Sequence, residues 1–159
     1  MNKLDKIFLK NSKIKQFTKS YIDYLNSVLN NISLDEVEKF MDILLSARER
    51  GSSIYFIGNG GSASTASHFA NDLSIGTRMQ ERPFRTISLC DNQSIITAVG
   101  NDFGYENIFS KQLEILLNKD DVVIAISASG NSPNLLKAVD TAKIKKAISL
   151  RITERSKNN

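Results

Sequence analysis

Residues 53–67 read SIYFIGNGGSASTAS, and the next residue, His68, is the chain's single histidine. A β-rich apolar run stops at a glycine cluster. Small hydroxyl residues then lead into a stretch with the composition of a helix. A strand that passes through a glycine loop into a helix is the repeating unit of a parallel α/β sheet. A second such hand-over lies downstream. DVVIAIS (121–127) is almost wholly apolar, as a strand buried on both faces should be. The serine-rich loop after it runs into a helix with Ser132 as N-cap and Pro133 at the first helical position.

Outward from these two units the rhythm predicts two more strands, FRTISLC (84–90) and AISLRI (147–152). Helices are predicted over 62–76, 92–100, about 107–118, and from Pro133 onward. Two further helices precede the glycine loop. Ile14, Phe17, Tyr21, Leu25 and Val28 form one apolar stripe over 13–30. The second helix, about 33–50, opens with a capping box, Ser33 and Glu36, and stops at Gly51. The expected architecture is α/β, a parallel sheet with helices on both faces. Residues 1–50 supply N-terminal helices whose stripes could cover a sheet face or a neighbouring subunit in an oligomer contact, and residues 51–159 form the ligand-binding domain.

The chain has 159 residues, 41% of them apolar, enough to bury one core. No apolar run is long enough to span a bilayer, and no cleavable leader is expected. One cysteine, Cys90, excludes an internal disulfide and fits a reducing cytoplasm. The net charge is +4, but residues 1–20 and 137–159 each carry +5, so the stretch between them carries −6. That distribution fits solvated basic ends on an acidic body, and argues against a nucleic-acid partner.

In an open parallel sheet, ligands bind at the carboxyl ends of the strands. Both small-residue loops lie there. Glycine lets backbone approach a ligand closely, and a helix N-terminus offers unpaired N–H groups to an anion. Ser127, Ser129 and Ser132 are three hydroxyls around one helix start, a set that suits a phosphate. Turn and capping chemistry accounts for one such loop on its own. Two at the strand ends of one sheet favour a ligand. Gly58, Gly60 and Ala63 also fit a dinucleotide fingerprint, G-x-G-x-x-A. That pattern wants an acidic residue at the end of the second strand, whereas Glu81 precedes the strand and Asp91 follows it. Nicotinamide binding therefore ranks low. His68 and Asp72 lie four apart, on one helix face. They could share a divalent metal, supply a base, or simply bond each other.

GNGGSA, HFANDL, GNDFGYENIF and ISASGNSPN occur in this order, each beside its expected element. Together they resemble the sugar isomerase (SIS) domain of the phosphoheptose isomerase family, from about residue 13 to about 150. The resemblance implies a three-layer α/β/α sandwich with a flavodoxin-like parallel sheet, and a cytoplasmic homotetramer that isomerises sedoheptulose 7-phosphate to an aldoheptose 7-phosphate for lipopolysaccharide or capsule. It implies sugar contacts from Asn59, Gly60, Gly61, Ser62, Asn101 and Asp102, and a phosphate held by Ser127, Ser129 and Ser132. It also implies Zn2+ on His68 and on Asp72, with Asp72 as catalytic base.

The chain departs from the family pattern in three places. Asp72 stands where the family has glutamate, one methylene longer. Ala128 stands for a threonine. A C-terminal helix carrying a glutamine and, two turns later, a histidine has no counterpart in the sequence. The favoured expectation is a chain cut short. The alternatives are a sugar-phosphate-binding protein without catalysis, and groups supplied by another subunit.

Overall fold

All six residues of β1, Ser53–Gly58, are buried, and so are all five of β3, Val122–Ile126. These two strands lie side by side at the centre of a four-stranded parallel sheet, flanked by β2, Arg85–Ser88, and β4, Ile148–Ile152. The strand order is β2-β1-β3-β4. The register pairs Ile54 with Val122 and Gly58 with Ile126, Ser53 with Arg85, and Val122 with Ile148. The computed structural model describes residues 3–11, 13–78 and 81–153.

The chain divides into two compact units, residues 1–41 and 42–159. The first holds α1 (Lys3–Lys10), α2 (Ile14–Leu29) and the start of α3 (Leu34–Arg50). Phe8 meets Phe17 edge-on at 5.6 Å, and Phe17 stacks on Tyr21 at 6.2 Å. The Ser33 hydroxyl accepts from the Glu36 amide at 3.3 Å. Gly51, at φ +69, closes α3 while the Ser52 amide reaches back to the Ala47 carbonyl at 2.9 Å.

In the second unit, alternate strand residues face opposite ways. Tyr55, Ile57, Val123 and Ala125 pack on one face with Leu113, Leu117, Ala138 and Val139. These come from α6 (Ser110–Leu116), the residue just beyond it, and α7 (Pro133–Ile144). On the other face Phe56 meets Phe69 of α4 (Gly61–Asn71) at 5.0 Å. Asp121 pins the start of the central pair. One carboxylate oxygen accepts from the Ser53 amide and the other from the Asn118 amide, both at 2.8 Å.

The parallel sheet and the six helices read from the sequence are present, with altered bounds. Helix α1 was not anticipated in the lysine-rich start. Strand β2 is shorter than 84–90, with the buried Phe84 and Leu89 just outside it, although the Leu89 amide still donates to the Phe56 carbonyl at 3.0 Å. The helix expected over 62–76 becomes α4 plus a wider π-helical turn, Asp72–Gly76, where Ser74 and Thr77 hydroxyls bond preceding carbonyls. Helix α5 (Gln93–Phe103) runs past Gly100 and stops at Gly104, at φ +87. A 3-10 turn, Tyr105–Asn107, then delays α6. Ser132 holds the N-cap position of α7, but its side chain makes no capping hydrogen bond.

Candidate functional site

β1 lies between β2 and β3, so the chain leaves it in one direction and returns on its other side. That reversal opens a crevice between the carboxyl ends of β1 and β3. The loop after β1 is built on two glycines. A Cβ on Gly58 would stand 2.7 Å from the backbone carbon and oxygen of Ser62, so only glycine lets α4 start this close to the strand. Gly60, at φ 54 and ψ −122, takes the first central position of a type II′ turn. The Ser62 amide closes that turn on the Asn59 carbonyl at 3.0 Å.

Asn59, Ser62, Ser127, Ala128, Ser129 and Ser132 line a cleft of about 240 Å³ in this crevice, together with Ile126. Two of the serine hydroxyls are oriented by nearby backbone. The Gly130 amide donates to Ser127 Oγ at 3.1 Å, and the Asn131 amide to Ser129 Oγ at 3.3 Å. The two oxygens also lie 3.5 Å apart, so when one hydroxyl donates to the other, the second keeps its proton for a ligand. Among the described residues, no carboxylate lines it. A wall of neutral donors at a helix start suits an oxyanion.

Asn59 is held more tightly than a loop residue needs to be. Its Nδ2 donates to Asn134 Oδ1 at 3.0 Å, and Asn134 Nδ2 donates back to its Oδ1 at 2.8 Å. The Tyr105 hydroxyl donates to the same Oδ1 at 3.1 Å. Asn134 is 2% exposed. Behind this knot, Lys137 of α7 donates to Asn107 Oδ1 at 3.1 Å and pairs with Glu106 at 3.6 Å. Glu106's own backbone amide and then Lys137 hold its carboxyl below the usual glutamate range. On the other side, the Cys90 thiol faces the Gly58 carbonyl at 3.5 Å, and burial pushes its pKa up.

The residues expected to act do not all converge. Asn59, Ser62, Ser127, Ser129 and Ser132 line the cleft, and Gly60 and Gly61 lie in the loop that forms its rim. Asn101 and Asp102, near the end of α5, are exposed and bonded to each other at 2.8 Å, outside the cleft lining. His68 Nε2 and Asp72 Oδ2 are 3.2 Å apart, with 78% and 53% of their side chains exposed, and they too lie outside it. Among the described residues no group of three or more His, Cys, Asp or Glu side chains could hold a metal ion. A catalytic zinc takes three protein ligands, so this pair alone does not make a zinc site. Asn134 and Tyr105 escaped the sequence reading, although both lie inside stretches quoted for the resemblance. Asp91, the residue weighed for a dinucleotide, accepts a hydrogen bond from Ser67 of α4.

A doubly wound sheet with a donor-lined crevice at its switch point defines an α/β domain suited to an anionic ligand. Residues 16–153 match the family model described as the SIS domain. A phosphoheptose isomerase of Helicobacter pylori is 46% identical over 112 residues, 70% of this chain and 58% of that protein. A probable phosphoheptose isomerase of Thermoplasma acidophilum is 36% identical over 125 residues, 79% of this chain and 69% of that protein. The structure of a phosphoheptose isomerase from Francisella tularensis superposes with a TM-score of 0.80 at 31% identity. That match covers 96% of this chain and 76% of that one. The chain belongs to the phosphoheptose isomerase family of SIS-domain proteins, and it spans little more than half the length of the Helicobacter relative.

Proposed function

We propose that this chain is a phosphosugar isomerase that converts sedoheptulose 7-phosphate to D-glycero-D-manno-heptose 7-phosphate in the cytoplasm. The observation that carries the reading is the donor-lined cleft between β1 and β3 in a chain whose relatives are named phosphoheptose isomerases. Ser127, Ser129 and Ser132 take the phosphate. Asn59, Gly60, Gly61 and Ser62 meet the sugar, with Asn101 and Asp102 beyond the rim. The phosphate grip lies far from the reacting carbons and contributes binding energy that orients them.

In the reaction, Asp72 removes a proton from C1, next to the ketose carbonyl, and the proton returns to C2. A proton passes from the oxygen on C1 to the oxygen on C2, which leaves an aldose. His68 bonds Asp72 and fixes its carboxylate. His68 and Asp72 would supply two of the three protein donors that a catalytic zinc takes, and the described residues do not add the third. The reading includes a homotetramer and a product used for lipopolysaccharide or capsule heptose.

A second reading is a sugar-phosphate-binding module without turnover. It is favoured by the position of His68 and Asp72 outside the cleft lining. One experiment separates the two. The chain is incubated with sedoheptulose 7-phosphate in heavy water, and the C1 protons are followed by NMR. Exchange that disappears in Asp72→Asn supports isomerase chemistry. Binding without exchange supports the module.

A further inference from the structure

We infer that Asn134 and Tyr105 are positioning residues that turn Asn59 into a single-donor group and tie the glycine loop to the phosphate loop. The inference rests on the sugar-phosphate reading of the cleft. The valences of Asn59 carry it. A side-chain amide has two N–H donors and two acceptor lone pairs. Asn134 Nδ2 and the Tyr105 hydroxyl occupy both lone pairs of Asn59 Oδ1, and Asn134 Oδ1 takes one of its N–H groups. One N–H remains, beside the cleft that Asn59 lines. Asn59 can therefore donate to a ligand oxygen but cannot accept from a ligand hydroxyl.

Asn134 lies two residues after Ser132, within the first turn of α7, and the paired amides join positions 75 residues apart. An amide pair with one partner this deeply buried fixes its geometry, because a lost partner leaves polar atoms unsatisfied. The Ser127 and Ser129 hydroxyls depend instead on the Gly130 and Asn131 amides. Disturbing Asn134 should thus spare the phosphate grip and weaken the hold on the sugar. A residue important only for folding would weaken both together.

The test is calorimetric titration at fixed salt with two probes, inorganic phosphate and sedoheptulose 7-phosphate. Asn134→Ala should weaken sugar-phosphate binding by about tenfold, while phosphate affinity stays within about twofold. Tyr105→Phe removes one exposed hydroxyl and should shift the ratio the same way, by about two- to threefold. If Asn134→Ala does not fold, Tyr105→Phe decides. An unchanged ratio of the two affinities overturns the inference and leaves the sugar-phosphate reading standing. A wild-type chain that binds neither probe overturns that reading, and the inference with it.

Discussion

Gly58 shows how one hydrogen atom can hold a site open. Its missing side chain is the space through which Ser62 backbone passes at 2.7 Å from the position a Cβ would take. Gly58→Ala should force strand and helix apart and cost about 1–3 kcal/mol, as overpacking does. The check is a lower denaturant midpoint. Gly60 differs, because nothing stands within 4 Å of its would-be Cβ. Its demand is conformational, so a substitution there strains the turn without a clash. At the opposite end of β1, Asp121 satisfies the buried Ser53 amide and the part-buried Asn118 amide at once. Asp121→Ala leaves the Ser53 amide buried without its partner and should cost about 1–3 kcal/mol in the same measurement. Neither role has a local signature. The amide Asp121 holds across the sheet lies 68 residues away, and the partner of Asn59 lies 75 away.

The 3-10 turn Tyr105–Asn107 is a short element, yet it joins the rim of the cleft to α7 through Tyr105, Glu106 and Asn107. Its own backbone amide, and Lys137, lower the Glu106 pKa. A lowered pKa means the folded state binds its proton less readily than the unfolded chain. The stabilisation is therefore present above the ordinary glutamate pKa of about 4.3 and is lost as pH falls through the folded value. Lys137→Met should raise the Glu106 pKa in a carboxyl NMR titration, without reaching the ordinary value, because the backbone amide remains. An unmoved titration would show that the pair is fully screened. This turn was not legible, because its residues follow Gly104 without periodicity. Strands β1 and β3 were legible, since unbroken apolar runs between turn residues leave few alternatives. Helix α5 was read too short because a glycine usually weakens a helix. Gly100 continues it, and the stop comes at Gly104, where φ is positive. The serine loop was read correctly as a loop leading into a helix. Its hydroxyl orientation depends on turn geometry, and the exposure of His68 and Asp72 on tertiary packing, neither of which a local residue pattern encodes.

At the scale of the whole molecule, the helices of the first unit expose what helices of monomers usually cover. Ile14, Ile22, Leu25, Val28 and Leu29 of α2 are exposed, as are Leu34, Val37 and Met41 of α3. In α2, Ile22, Leu25 and Leu29 follow one another at steps of three and four, so they share one stripe. Contiguous apolar surface of this kind marks an interaction site. In the proposed homo-oligomer a second copy of the chain would cover it, and the apolar surface removed from water would favour association. Wild-type chain should therefore sediment above the 17.7 kDa monomer at micromolar concentration. Ile22→Glu combined with Leu25→Glu places two charges on the stripe and should shift the population toward monomer. Helical content by circular dichroism should hold, since both positions are exposed and glutamate is a good helix former. The stripe does not carry the association if the double variant sediments like the wild type. The same pair of samples, titrated with inorganic phosphate, separates assembly from binding. The cleft is lined wholly by residues of the second unit, so phosphate affinity should not follow the change in mass.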